Sequence, residues 1–299
     1  MKFKSILIFG TGSFANKHAE ILKKIYKKID IYFFSERKKK KYLNDREQLT
    51  KIDPHLIIIA SKTSDHFKHL ELANNYFKKK IILIDKPLFH KPYNTKYKNN
   101  KILVNYNFRF NHLISHIKKI ISLNDIFSIN INCFSYLPKW RNGRNYKYSY
   151  SSDMKSGGGV ALDLSHELDY AQYLFGPISK ILYSYSENIS NLKINCDDIL
   201  ILNCLQKKVK TFINLNFFSK INKREIIING HNKTIKCDLL TNTIVVASKK
   251  IKIYKFNLTK NHSLINVHKN IKRNKLSNFC TYKEGIDLLK LIQKIRKKK

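Results

Sequence analysis

The sequence predicts an α/β protein: an N-terminal, Rossmann-type doubly wound parallel sheet, followed by an α+β region with a mostly antiparallel sheet. Three observations predict it. Short, wholly apolar runs recur through the first hundred residues, and a glycine-rich turn directly follows the first of them. After residue 120 the rhythm changes to alternating strand-length segments. A wholly apolar run of four or five residues is the pattern of a strand buried on both faces, as parallel strands are.

Taken in order, residues 6–9 (Ile6, Leu7, Ile8, Phe9) give the first strand. Residues 13–28 then repeat at helical spacing, with Phe14, His18, Ile21, Leu22 and Ile25 on one face. Residues 30–34 form a second strand, and a lysine-rich helix is expected to follow it. The turn dipeptide Asp53-Pro54 precedes a third strand at 56–60. A helix over 65–78, a strand over 81–84 and a strand over 102–104 complete a series of β-α units. The loop 136–156 is rich in Tyr, Arg and Ser, and Gly157-Gly158-Gly159 opens a helical stretch that Gly176-Pro177 stops. Strands are expected over 178–185, 199–205, 210–217, 225–229, 234–238, 243–247 and 251–256, before a closing helix at 282–296. The division expected is a dinucleotide-binding domain at 1–120 and a substrate-binding domain at 121–299.

Composition narrows the function class. With 43% hydrophobic and 26% charged residues the chain is globular. No apolar run approaches the 18 or so residues of a membrane span, so a cytoplasmic protein is expected. The five cysteines (Cys133, Cys196, Cys204, Cys237 and Cys280) are odd in number, widely spaced and lack a C-x-x-C pair. A disulfide framework or a zinc site is therefore not expected, and the metal assignment is none. The formal charge of +37 admits a nucleic-acid or anionic-surface reading. Its lysine clusters, Lys38 to Lys41, Lys78 to Lys80 and Lys297 to Lys299 among them, are instead scattered at expected element ends. Solvated lysine is the simpler account, and no specific nucleic-acid partner is expected.

Gly10-Thr11-Gly12-Ser13-Phe14-Ala15 fits G-x-G-x-x-A between a strand and a helix. Gly10 permits the tight turn, Gly12 lets backbone approach a pyrophosphate, and Ala15 allows close helix packing. The helix N-terminus offers N–H groups and a positive dipole to the phosphates. At the end of the second strand, Ser35 and Arg37 suit a 2′-phosphate and favour NADP, whereas an inward Glu36 would favour NAD. The cofactor expected is NADP or NAD, with NADP favoured.

Four ordered motifs then resemble the glucose–fructose oxidoreductase / inositol dehydrogenase (Gfo/Idh/MocA) family. They are Asp85-Lys86-Pro87 for the family's E-K-P, and Ala60-Ser61-Lys62 running to His66 for A-T-P-x-x-x-H. Asn107-Phe108-Arg109-Phe110 matches N-x-R-F, and Gly157 to His166 matches G-G-G-x-x-x-D-x-x-x-H. The resemblance implies an NAD(P)-dependent oxidoreductase acting on a sugar or sugar derivative. It implies Lys86, Asp163 and His166 as catalytic residues, with Ser61, His66 and Asp85 on the cofactor side. Lys86 can hydrogen-bond the reacting oxygen, and His166 is the second candidate for proton transfer. Arg109 is a candidate substrate clamp or a structural ion pair, and Trp140 with Arg141 a sugar platform or a packed loop. Asp197-Asp198 is expected to be a turn.

Asp85 replaces the usual Glu, Lys62 the usual Pro, and Asp163 and His166 stand three apart where four is usual. On a continuous helix either spacing shares a face. The altered spacing keeps a second reading open, a catalytically silent NAD(P)-binding regulator or scaffold, with a basic nucleic-acid binder third. A homo-oligomer formed through the C-terminal sheet is expected.

Overall fold

The computed structural model describes residues 3–36 and 42–297. The chain forms two compact units, one of residues up to Asn107 with Ser263–Leu289, the other of Phe108–His262 with the residues from Lys290 onward.

In the first unit, β1 (Ser5–Phe9), β2 (Asp30–Phe34), β3 (Leu56–Ile59), β4 (Ile81–Asp85) and β5 (Lys101–Asn105) pair in parallel in the order 5-4-3-1-2. Ile6 to Phe9 and Leu56 to Ile59 are wholly buried, as their uninterrupted apolar character demands. Helices α1 (Ser13–Ile25) and α2 (His66–Tyr76) connect these strands. The helix expected between β2 and β3 is not found among residues 42–55, which hold one short 3-10 turn, Glu47–Lys51. The side chain of Gln48 accepts the Asn44 and Asp45 N–H groups at 2.8 and 3.2 Å, giving this backbone a local alternative to helix.

The second unit begins with α3 (His112–Ile120), which the strand-by-strand reading passes over. Asn111 caps it by accepting from the Leu113 N–H at 2.8 Å, and Leu113, Ile114 and Ile117 form its buried stripe. Next come β6 (Ile126–Tyr136), α4 (Val160–Asp163) and α5 (Ser165–Phe175). The expected single helix is therefore interrupted at Leu164, whose backbone (φ −95°, ψ 26°) leaves the helical region. Strands β7 (Ile178–Glu187), β8 (Ile199–Gln206), β9 (Val209–Asn216), β10 (Phe218–Gly230), β11 (Thr234–Asp238), β12 (Thr243–Ala247) and β13 (Ile251–Lys255) join β6 in an eight-stranded sheet, order 13-12-11-10-6-9-8-7. All neighbours are antiparallel except β6 and β9. Alternation along β6, β8 and β9 buries Ile129, Ile131, Leu200, Leu202, Ile213 and Leu215, and α4 packs onto β8 and β9.

The chain then returns to the first unit. Helix α6 (His262–Lys272) is followed by β14 (Cys280–Thr281), which adds antiparallel to β5 at the sheet edge, and by α7 (Tyr282–Lys297). Thr281 and Glu284 cap the start of α7 reciprocally: Glu284 accepts the Thr281 N–H at 2.7 Å and Thr281 Oγ1 accepts the Glu284 N–H at 3.2 Å. No helix among the described residues is long and apolar enough to cross a membrane.

Candidate active site

The strand order puts β1 between β2 and β3, the point where the sheet's winding reverses and where open α/β sheets bind ligands. Gly10 lies there with φ +104°, and a Cβ on it would meet Ala60 O at 2.6 Å and Ser61 N at 2.8 Å. Only glycine fits. Gly12, the residue that starts α1, is the opposite case: nothing lies within 4 Å of where its Cβ would stand. No side chain caps α1, and its first turn carries no acid. Thr11 is half-buried, Ser13 and Phe14 are exposed, and Ala15 is wholly buried against the sheet. The helix start is thus open above Gly12 and sealed beneath Ala15, a shape that suits a pyrophosphate.

Ser35 and Ser61 are half-buried at the carboxyl ends of β2 and β3. Arg37 lies outside the described residues. Glu36 is exposed and ion-paired with Lys68 of α2, which holds its carboxyl below the usual carboxylate range. His66 departs from its expected role. It is buried, with Nδ1 3.1 and 3.2 Å from the carbonyls of Pro87 and Leu88 and Nε2 3.3 Å from that of Ser61. Burial pushes its pKa down, and the neutral ring carries a single N–H, so it donates either to the Pro87 and Leu88 carbonyls or to that of Ser61. Both ring nitrogens face protein carbonyls, which packs the ring between the loop after β3 and the loop after β4.

Asp85 departs in the same way. Its buried carboxylate accepts from Asn105 at 2.8 Å and lies 3.1 Å from His18 Nε2, and His18 Nδ1 is 2.7 Å from His268. Through Oδ1 this network anchors the end of β4. Lys86, the next residue, is half-buried at the carboxyl edge of the sheet.

In the second unit Asp163 and His166 are buried on either side of the break at Leu164. They do not share one continuous helix, so the three-residue spacing does not translate into a simple common face. The charge of the Asp163 carboxylate, followed by burial, pushes the Tyr150 phenol well above its ordinary value. It remains protonated beside that carboxylate. The His166 ring lies against Phe108, centroids 4.9 Å apart, and the Arg224 guanidinium covers that phenylalanine at 4.2 Å. Glu167, wholly buried, accepts from Arg224 Nε at 2.7 Å and is part of the packing.

Arg109 is the clearest correction to the substrate-binding set. It is buried, and its guanidinium meets both oxygens of buried Asp169 at 2.8–3.1 Å. This is the structural ion pair, because a guanidinium this enclosed and this fully matched by a carboxylate has no face for a substrate. Trp140 and Arg141 instead line a cleft of about 310 Å³ with Arg144, Tyr146 and Tyr148. The sequence reading missed Arg144, Tyr146, Tyr148 and Tyr150, although the Tyr- and Arg-rich loop was the available signal; His18 and Asn105 gave none. The Asp197-Asp198 turn is structural: Asp197 accepts from the Ala161 N–H at 2.8 Å and pairs with Arg296, while Asp198 accepts from the Ile189 and Ser190 N–H groups at 3.0 Å.

Fold and glycine turn together define a Rossmann-type α/β protein with a second, sheet-rich α/β unit. Residues 118–299 match the family model described as "Oxidoreductase family, C-terminal alpha/beta domain", and the chain belongs to the Gfo/Idh/MocA family of oxidoreductases. No curated protein sequence gives a significant match. Solved structures share the fold at low identity. An oxidoreductase from Agrobacterium radiobacter, in complex with NAD+, L-tartaric acid and magnesium, is 16% identical, with a TM-score of 0.77 over 98% of this chain and 95% of that one. The WlbA dehydrogenase from Bordetella pertussis, in complex with NADH and UDP-GlcNAcA, is 16% identical, with a TM-score of 0.75 over the same shares, 98% and 95%. A super-repressor mutant of Gal80p from Saccharomyces cerevisiae is 15% identical, with a TM-score of 0.78 over 98% and 95%.

Proposed function

We propose that the protein is a nicotinamide-dependent oxidoreductase that interconverts a carbinol and a carbonyl on a sugar or sugar derivative. The observation that carries this reading is the open, uncapped start of α1 above Gly12, placed where the parallel sheet reverses. Gly10, Thr11, Gly12, Ser13 and Phe14 hold the dinucleotide phosphates, and Ser35 and Ser61 flank them. The bound nicotinamide supplies hydride transfer. Lys86 hydrogen-bonds the reacting oxygen, and His166 exchanges its proton, with Asp163 orienting the substrate side. NADP is preferred over NAD, because Glu36, the alternative ribose anchor, is occupied by Lys68. WlbA, with NADH and UDP-GlcNAcA bound, and the NAD+-bound Agrobacterium enzyme support the cofactor class.

Fluorescence titration with NADPH and NADH tests this. Both should bind, NADPH more tightly, and Gly12→Asp should abolish binding in a folded protein by setting a carboxylate against the pyrophosphate. Undiminished affinity in that variant defeats the reading. One observation favours a second reading, a cofactor-binding regulator without turnover: the break at Leu164 separates Asp163 from His166, and Gal80p, a regulator, shares the fold. Cofactor binding without turnover over a broad sugar panel would select it. Pairing of two copies through the eight-stranded sheet belongs to the same proposal, since that sheet leaves Leu182, Tyr183, Phe212, Ile221 and Ile253 exposed.

A further inference from the structure

We propose that the cleft beside Trp140 is a subsite for an anionic sugar, a pyranose ring carrying a phosphate or a carboxylate. Its volume of about 310 Å³ is at the lower end of small-molecule sites and is of sugar size. Arg141 and Arg144 are the charged residues in its lining, which contains no acid. Neither arginine is ion-paired to a carboxylate among the described residues. Two exposed guanidiniums on one wall with no internal counter-charge favour an anion, and guanidinium geometry matches carboxylate and phosphate oxygens alike.

Aromatic side chains supply the ring contact. Trp140 packs its edge on buried Phe217 at 5.0 Å and keeps 36% of its surface open, while Tyr148 is 88% exposed. An anchored, part-exposed indole lining the cleft is a platform for a sugar ring. The loop beneath is tied down: Ser152 Oγ donates to the Lys147 carbonyl at 2.8 Å, and Leu137 N–H to that of Phe217 at 2.9 Å. The cleft is therefore preformed.

Tyr150 connects it to the chemistry. Its ring lies under the Arg141 guanidinium at 5.3 Å, and it stands close enough to Asp163 for that carboxylate's charge to raise its pKa. An anion drawn to Arg141 is thus two side chains away from a residue assigned to the substrate. This inference deepens the oxidoreductase reading by naming the substrate class, and it rests on that reading only for the reaction.

Trp140 is the chain's single tryptophan, so its emission reports directly on the cleft. The probes are glucose 1-phosphate, glucuronate and glucose, titrated without cofactor and repeated by calorimetry. Glucose 1-phosphate, glucuronate or both should bind saturably and at least about tenfold more tightly than glucose, since a charge-assisted hydrogen bond is typically worth that much or more. The tighter of the two names the anionic group. Arg141→Gln with Arg144→Gln should weaken the anionic probe about ten- to hundredfold and leave glucose unchanged, whereas Lys252→Gln, on exposed β13, should alter neither. Equal affinity for charged and neutral sugars, an unaffected double variant, or no saturable binding by either method overturns the proposal. NADPH binding, followed in the same preparations by its own fluorescence, separates the two readings. Its loss with anion binding intact defeats the oxidoreductase reading, and the reverse defeats this one.

Discussion

At Gly10 and Gly12 one motif makes two different physical demands. The Gly10 Cβ position collides with backbone at φ +104°, so Gly10→Ala should cost about 1–3 kcal/mol in strain and shift the thermal midpoint down. The Gly12 position is open, so Gly12→Ala should fold with an unchanged midpoint and reveal itself only in cofactor affinity. Equal midpoints for the two variants would contradict this division. Lys86→Ala and His166→Ala should each cut turnover about a hundred- to ten-thousand-fold while cofactor affinity holds. Tyr150→Phe removes the hydroxyl beside Asp163 but keeps the ring under Arg141. It should lower kcat with little change in anion affinity; native kcat in Tyr150→Phe would argue that Asp163 does not need that partner.

Among the elements, α5 is held to the turn containing Arg109 by a buried ion pair. Such a pair is weak evidence of net stabilisation, because desolvating both charges offsets their attraction. Removing one partner is a different matter. Arg109→Ala leaves Asp169 buried without its guanidinium, and should destabilise the second unit by about 3–5 kcal/mol in chemical denaturation. Arg109→Ala with Asp169→Leu should recover much of that loss. A single variant as stable as the native chain would refute the burial argument.

For the whole molecule, acid is the informative variable. His69 is buried and its pKa is depressed to about 4, and burial also lowers His66 and His268. Above pH ~6.5 both folded and unfolded histidines are neutral, so these groups leave stability unchanged. As pH falls below that value, the unfolded chain takes up protons that the folded unit refuses, and stability declines towards pH 4. His69 alone accounts for about 3 kcal/mol by pH 4. Hydrogen exchange in the first unit, compared at pH 7 and pH 5 after correction for intrinsic rates, should show the loss. His69→Asn should reduce it by the His69 share, and a pH-independent opening free energy in the native chain would refute it.

What was legible in the sequence was whatever local pattern controls. Apolar runs marked β1 to β5, alternation marked most of the second sheet, and Gly10 to Ala15 announced their own backbone geometry. Helices α3 and α6 carry ordinary stripes that a strand-by-strand pattern does not register, and among residues 42–55 Gln48 captures the Asn44 and Asp45 N–H groups where the sequence suggests helix. Residue type and order placed Lys86, Asp163 and His166 in a family pattern. They did not reveal that Asp85 and His66 turn inward, that Asp169 occupies Arg109, or that Leu164 breaks the helix. Those outcomes depend on partners far along the chain: His18 is 67 residues from Asp85, and Asp169 is 60 from Arg109. A charged or polar side chain reads the same in sequence whether it faces water, a ligand or a buried counter-charge. Only the packed tertiary structure decides which, because desolvation makes an unmatched buried charge too costly and so fixes each one to the partner the fold brings near.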